Sequence, residues 1–313
     1  MLLATGAIIN EIIKDKKYAK FYQQMSIEDA TKMRDELINT LVVFDKMCRK
    51  YKLRYMLTAG ALIGAVRDKE ALIWDDDIDL VMPRPDYDKL REVYEKSEYK
   101  KEYVLKYPQD NKVITMGMHF YRRNARLTDI IDNSIGESDI YEPYAYMDIL
   151  PLESVPNSQV KRKLVGNLVN ALQMGFISRR CFKKHDPFLN FLAKDSKKLA
   201  LNLKIREAFS LPFMLVKKKT MFSQLDHILK YDSHTKMVTV PYGALRYFGE
   251  MVPRKVYLPV SEIELNGHMV MAPHDPAAYL ANRYGDYMTP PTEAEKKERL
   301  IRLRGDWQNL VNS

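Results

Sequence analysis

Cysteine is scarce in this chain: two residues, Cys48 and Cys181, in 313. Two thiols cannot build a disulfide framework, and an all-cysteine zinc site needs four. No Asn-x-Ser/Thr acceptor occurs either, so nothing directs the chain out of a reducing compartment and a cytoplasmic location is expected. No run of about 18 uncharged apolar residues is present, which argues against a spanning helix. The opening Met1-Leu2-Leu3-Ala4-Thr5 lacks a basic lead and meets Glu11 early, a poor signal peptide. P-loop, Gly-x-Gly-x-x-Gly and His-Glu-x-x-His patterns are all missing, which excludes the usual ATPase, dinucleotide-binding and zincin signatures.

What is there is ordinary in bulk: 46% apolar and 29% charged residues fit a folded chain and exclude a fibrous or disordered one. The charge is less ordinary. With 50 Lys+Arg against 41 Asp+Glu the net is +9. Residues 155–236 hold 17 basic and 5 acidic side chains, a balance of +12, so the remainder carries −3. That basic segment lacks nucleic-acid motifs such as RNP aromatics or zinc knuckles, so nucleic acid is not the expected partner. It reads as helices, one over residues 163–182 flanked by Lys161-Arg162-Lys163 and Arg179-Arg180. A second apolar stretch, 211–216, runs into Lys217-Lys218-Lys219. Such a segment is either a helical subdomain with a solvated basic rim or one that lies on an anionic bilayer surface.

Around it, periodicity predicts a helix after Ser26 with Ile27, Met33, Leu37, Leu41 and Phe44 on one face. Strands are predicted over 53–57, 73–82, 103–107, 113–121, 126–131 and 144–152, with short helices over 62–66 and 86–96. Helices over 275–284 and 293–307 close the chain. The sum is an α+β core with a basic helical insertion, divided as 1–154, 155–236 and 237–313.

The chemistry gathers in Ile73-Trp74-Asp75-Asp76-Asp77-Ile78-Asp79-Leu80. Strand residues two apart share a face, so Asp77 and Asp79 are expected to project together, with Asp75 beside them if the strand starts that early. Asp76 would point the other way and cap or orient a neighbour. Adjacent half-buried carboxylates repel, and a divalent cation resolves the conflict; hard oxygen donors favour Mg2+ or Mn2+. Asp148, on its own apolar strand, has the character of a third ligand. Upstream, Gly60 and Ala61 would let backbone amides approach a phosphate, and Arg67 would neutralise its oxygens. A strand, then Gly and a small residue, a helix, and a strand with Asp-x-Asp is the nucleotidyltransferase layout.

Here the residues resemble a known family. Ala59-Gly60-Ala61-Leu62-Ile63-Gly64-Ala65-Val66-Arg67, followed by Ile73-Trp74-Asp75-Asp76-Asp77-Ile78-Asp79, closely resembles the LicD family, phosphocholine transferases of bacterial surface polysaccharides. Met147-Asp148-Ile149-Leu150-Pro151-Leu152 resembles its second acidic strand, and Tyr284-Gly285-Asp286-Tyr287-Met288 its C-terminal Tyr-Gly-Asp-x-Met motif. The acidic run also resembles that of the fukutin-like ribitol-phosphate transferases. The chain departs in Ala61, where Thr is usual, and in Leu72-Ile73, where Ile-Pro is common.

The resemblance implies a nucleotidyltransferase-like mixed sheet with flanking helices. It implies transfer of a phospho-alcohol, phosphocholine above all, from a CDP-activated donor such as CDP-choline to a sugar hydroxyl of a cell-surface polysaccharide or teichoic acid precursor, lipid-linked or free. Asp77 and Asp79 would hold Mg2+, Asp148 would complete the shell or act as base, and Gly60 and Arg67 would cradle the diphosphate. Trp74 would belong to a choline cage or to the core. Tyr284 and Asp286 would reach the site or merely end a helix at Gly285. His119 reads as a core histidine. The alternatives are a nucleotidyltransferase acting on a sugar or small molecule, and a membrane-surface binding module with a degenerate site.

Overall fold

Ser26 opens the first long helix, its hydroxyl accepting from the Asp29 amide at 3.0 Å, the satisfied N-cap that the sequence predicts. The computed structural model describes residues 8, 11–12, 15–109, 116–126, 145–179, 187–230, 235–304 and 309–310. In it the helix, α1 (Ile27–Lys50), buries Met33, Leu37, Leu41 and Phe44. They lie against the sheet because a 3.6-residue repeat puts them on one side.

That sheet is assembled from β2 (Met56–Leu57), β3 (Ile78–Pro83), β4 (Tyr103–Lys106), β5 (Met118–Arg122) and β6 (Met147–Val155), in the order β2-β3-β6-β5-β4. Only β3 and β6 run parallel; the other neighbours are antiparallel. A parallel pair needs a long crossover, supplied here by helix α3 (Arg84–Lys96), β4 and β5. Between β2 and β3 runs helix α2 (Ala59–Arg67). β7 (Met237–Thr239) pairs with the end of β6, and β8 (Val252–Pro253) with β7. A mixed sheet with helices segregated around it is the α+β class expected.

The basic segment is helical: α4 (Gln159–Ser178), α5 (Pro187–Leu192), α6 (Lys197–Ser210) and α7 (Lys218–Leu229). α4 and α7 share a small core of Val169, Phe176, Phe222 and Leu225 with Val155 and Tyr247. Arg84 joins this layer to the sheet, paired with Glu153 of β6 and with Asp226 of α7. α5 and α6 pack instead on Tyr18 and Phe21. Among the described residues no helix is long and apolar enough to cross a membrane.

The chain closes with the hairpin β9 (Ser261–Leu265) and β10 (His268–Ala272), helices α8 (Pro276–Tyr284) and α9 (Glu293–Arg299), and β11 (Ile301–Leu303). β11 pairs antiparallel with β1 (Tyr22–Gln24).

Several elements differ from the sequence prediction. The helix expected over 293–307 stops at Arg299, because β1 captures the next residues as a strand, a tertiary pairing that no local pattern records. The strand expected from residue 73 starts at Ile78; residues 73–77 form a turn and an extended lead, with the Asp75 amide donating to Leu72 O at 3.1 Å. The helix expected over 62–66 already begins at Ala59. In place of an apolar helix over residues 211–216 there is a short 3-10 helix, Leu211–Phe213, followed by a turn. Residues 113–115 and 127–131 of two expected strands, with Cys181 and Arg180, lie outside the described residues.

Candidate active site

The site is built where β3 and β6 run side by side. Their register pairs Asp79 with Asp148, and the β5–β6 register pairs His119 with Asp148. Residues directly opposite across strands share a face, so Asp79, Asp148 and His119 form one row. His119 Nε2 lies 3.9 Å from Asp148 Oδ1, and the imidazole stacks on Tyr146 with ring centroids 4.1 Å apart. His119 is buried, as a core histidine would be, yet it faces the acid row.

The turn before β3 delivers the rest. Asp75, Asp76 and Asp77 can each bring a carboxylate oxygen within 4.8 Å of the others, a grouping able to hold a metal ion. Asp77 precedes the strand, so it is the lead-in rather than strand alternation that sets its direction. Asp76 is exposed and pairs with Arg302 Nη2 at 3.2 Å.

Burial and mutual repulsion push these acids towards neutrality. Asp79 rises to about 7 through burial and then Asp148, and Asp75 to about 6 through burial and then Asp76. Asp77 is held well above the carboxylate range by burial, followed by Asp79. Asp148 is raised by burial, with His119 opposing. Asp148 Oδ1 is a buried acceptor with no hydrogen-bond donor among the described residues, a costly arrangement without a cation or proton to satisfy it. A set of hard oxygen donors that is electrostatically unfavourable alone is what a divalent cation fits.

Two glycines make room for these side chains. A β-carbon at Gly60 would lie 1.6 Å from Asp75 Oδ2, and one at Gly117 would lie 1.9 Å from Asp148 Oδ1. Gly60 sits in the first turn of α2, behind Ala59, whose φ of +48° is left-handed. Such a backbone costs roughly 1–3 kcal/mol and persists where the surroundings enforce it. Here the Ala59 amide donates to Tyr279 Oη at 3.4 Å, and Thr58 donates twice to Asp79 O, at 3.0 and 3.2 Å. Gly60→Ala is expected to leave the melting temperature unchanged, since Ala favours the helix by up to about 1 kcal/mol and only a side-chain terminus must move. It is expected to cut kcat/KM by about 100-fold or more, at 1.4 kcal/mol per tenfold, because the terminus that moves is Asp75. Steady-state turnover beside a thermal melt checks it; wild-type turnover would mean that Asp75 is idle.

The remaining predicted residues divide. Ala61 is buried beside Gly60 and, with Asp75, Asp77 and Arg34, lines a cavity of about 10 Å³ behind the acids, room for about one water. Arg67 is not brought to the carboxylates: it ends α2, seven residues from Gly60 or about 10 Å along the axis, with its guanidinium held by Asp68 at 2.7 Å. Asp286 is consumed by a turn, accepting from the Met288 and Thr289 amides and the Thr289 hydroxyl, after Gly285 has ended α8 at φ +67°. Tyr284 is at the site: burial raises its phenol, Arg283 opposes, and Asp79 and Asp75 are close enough to raise it further. Trp74 packs on the core with one face carrying Lys296 Nζ, 5.1 Å from the ring centroid.

Sequence reading missed the cations that do reach the acids. Arg283 lowers Asp79 and is itself held by buried Glu250; Arg299 and Arg302 lower Asp75. Each comes from more than 200 residues downstream, and Arg283's position directly before the Tyr-Gly-Asp motif was the available signal.

Residues 52–162 match the LicD/FKTN/FKRP nucleotidyltransferase domain, a span that contains Gly60, the acidic turn, Asp79, Gly117, His119 and Asp148. Over 267 residues the chain is 27% identical to lipopolysaccharide cholinephosphotransferase LicD of Haemophilus influenzae, covering 84% of this chain and 93% of that protein. Domain match, long alignment and the paired acid strands coincide: residues 52–162 carry the LicD/FKTN/FKRP nucleotidyltransferase domain, and over most of its length the chain is similar to a LicD phosphotransferase.

Proposed function

We propose that this protein transfers phosphocholine from CDP-choline to a hydroxyl of a cell-surface glycan, releasing CMP. The observation that carries the reading is the registered Asp79–Asp148 pair beside the Asp75–Asp77 turn, on a chain that aligns along most of its length with a cholinephosphotransferase. In the reaction an acceptor oxygen forms a bond to the choline-bearing phosphorus. The bond from that phosphorus to the CMP oxygen breaks, and the hydroxyl proton leaves to a base.

Asp77 and Asp79, with Asp75, would hold Mg2+ or Mn2+, as hard carboxylate donors prefer. When bound, the cation supplies neutralisation of the diphosphate and of the CMP leaving group. Asp148 accepts the hydroxyl proton, a role suited to a carboxylate raised by burial. His119 Nε2 faces it from 3.9 Å and opposes the rise through its charge. The Gly60 and Ala61 amides in the first turn of α2, rather than that of Ala59, which Tyr279 takes, would face the phosphates, where the helix dipole favours negative charge. Arg283 and Tyr284 approach from α8.

Choline as the transferred alcohol is supported by Trp74, whose ring already lies under a cation, Lys296. A trimethylammonium group can take that face, an attraction of roughly 0.5–2 kcal/mol. The test is CMP release from CDP-choline with a glycan acceptor, followed by product mass; a product retaining a nucleotide would instead make the protein a nucleotidyltransferase. Trp74→Ala is expected to raise KM for CDP-choline about tenfold, equal to ~1.4 kcal/mol. KM for CDP-glycerol, which lacks a cation, should hardly change. Equal losses on both donors would assign Trp74 to packing alone.

A further inference from the structure

We infer that α4 and α6 form a docking surface for an anionic phospholipid bilayer, a binding function separate from the phosphotransfer site. Each helix has two apolar faces. α4 buries Val169 and Phe176, yet leaves Val160, Leu164 and Leu168 exposed at 68, 67 and 47%. α6 buries Leu199 and Leu203, yet leaves Leu201, Ile205 and Phe209 exposed at 61, 46 and 39%. Both outer sets follow an i, i+4, i+8 spacing, which lines them up on one side of a helix. The core has no use for these stripes, because the opposite face of each helix already makes it. A folded protein rarely leaves so much clustered aliphatic surface in water unless something covers it.

The two helices are neighbours in space. Arg206 of α6 contacts Met174 Sδ of α4 at 3.7 Å, and Gly175 of α4 is in contact with the Phe213 ring just beyond α6. Past that ring the side chain of Leu215 is 95% exposed.

Charge selects the occupant. Lys161, Lys163, Lys197, Lys204, Lys217 and Lys219 are exposed on or beside these helices, within the segment whose balance is +12. A second copy of the chain would bring two such segments together and be repelled. A nucleic acid or an anionic glycan would meet the lysines but leave the leucines in water. An anionic bilayer satisfies both, with headgroups for the ammonium groups and the acyl boundary for the stripes. α4, about 30 Å long at 1.5 Å per residue, would lie in the plane of the surface, consistent with its having no capacity to span.

The experiment is flotation of the full chain with vesicles, read by the bound fraction and requiring no catalytic assay. Intact protein is expected to float with vesicles of equimolar phosphatidylcholine and phosphatidylglycerol, to be released by high salt, and to bind pure phosphatidylcholine at least tenfold more weakly. Leu164→Glu with Ile205→Glu should weaken binding at least tenfold without lowering the melting temperature, since both side chains are exposed. Lys161→Ser with Lys204→Ser supplies a second variant that keeps the stripes and removes charge; it too should weaken binding. Absence of flotation by the intact protein, undiminished flotation by folded variants, indifference to the anionic lipid, or a dimer that Leu164→Glu dissociates would each overturn the inference.

Discussion

Asp79→Asn is expected to lower turnover about a thousandfold while making the metal-free protein more resistant to heat. Both effects follow from the same electrostatics. Asp79 sits in register with Asp148 and within the field of Asp75, partly buried, with its carboxyl pushed up to about 7. Charging it costs free energy in the folded state that the unfolded chain does not face, so a neutral amide of the same shape relieves repulsion. At about 2–4 °C per kcal/mol for a chain of this size class, the melting temperature should rise by several degrees. Catalysis should respond in the opposite sense, because the amide cannot supply the anionic oxygen that a divalent cation needs. Losing a group aimed at transition-state charge commonly costs a hundred- to a thousandfold. CMP release and a thermal melt on the same preparation decide it. Wild-type turnover in Asp79→Asn would remove this residue from the reaction, and lower thermal stability would mean that its carboxylate is structural.

The second large effect is on stability against pH, and its sign follows from the raised carboxyls. The folded pKa values of Asp75 and Asp79, about 6 and about 7, lie above the ordinary carboxylate value, and those of Asp77 and Asp148 also move upwards. Between pH 4 and 7 the folded chain therefore holds protons that the unfolded chain has released, and stability falls as pH rises through that window. Each tenfold gain in proton affinity on folding corresponds to about 1.4 kcal/mol, so the cluster as a whole is worth a few kcal/mol. A divalent cation held by these acids, as proposed, would replace those protons with its own charge. It should raise the melting temperature strongly at pH 8, where the acids are ionised and repelling, and weakly at pH 5, where they are protonated. Melts with Mg2+ and with EDTA at the two pH values check this. An equal response at both, or none at pH 8, would place the cation elsewhere.

Much of the site was legible in the sequence because it is local. Asp75, Asp77 and Asp79 lie within five residues, and the small pair Gly60-Ala61 stands one helix upstream. Asp148 could be recognised as an acid stranded among Met, Ile and Leu. The same locality explains the misplacements. Arg67 lies close to the acids in sequence, yet a helix carries it about 10 Å away, and Asp286, though inside a motif, is used up by its own turn. Asp76, expected to turn away, does so only in part: it orients on Arg302 and still stands within the acid group.

By itself the sequence determined the helix and strand alternation of the core, the α+β class, the acidic run and the resemblance to LicD proteins, all properties of short windows and their order. It determined as well that +12 of the charge belongs to residues 155–236. Only the tertiary structure decided that Asp79 and Asp148 are neighbours, because parallel pairing of β3 with β6 spans nearly 70 residues and is set by packing over the whole sheet. It also decided that Arg283, Arg299 and Arg302 face the acids, and that β1 ends α9 and holds the segment carrying Arg302 in place. Likewise the apolar residues of α4 and α6 could be counted in advance, but which of them the core would take depended on where α7 and Tyr18 came to rest. Contacts between distant segments are chosen by burying surface and pairing charge in three dimensions, and one-dimensional periodicity carries no record of that choice.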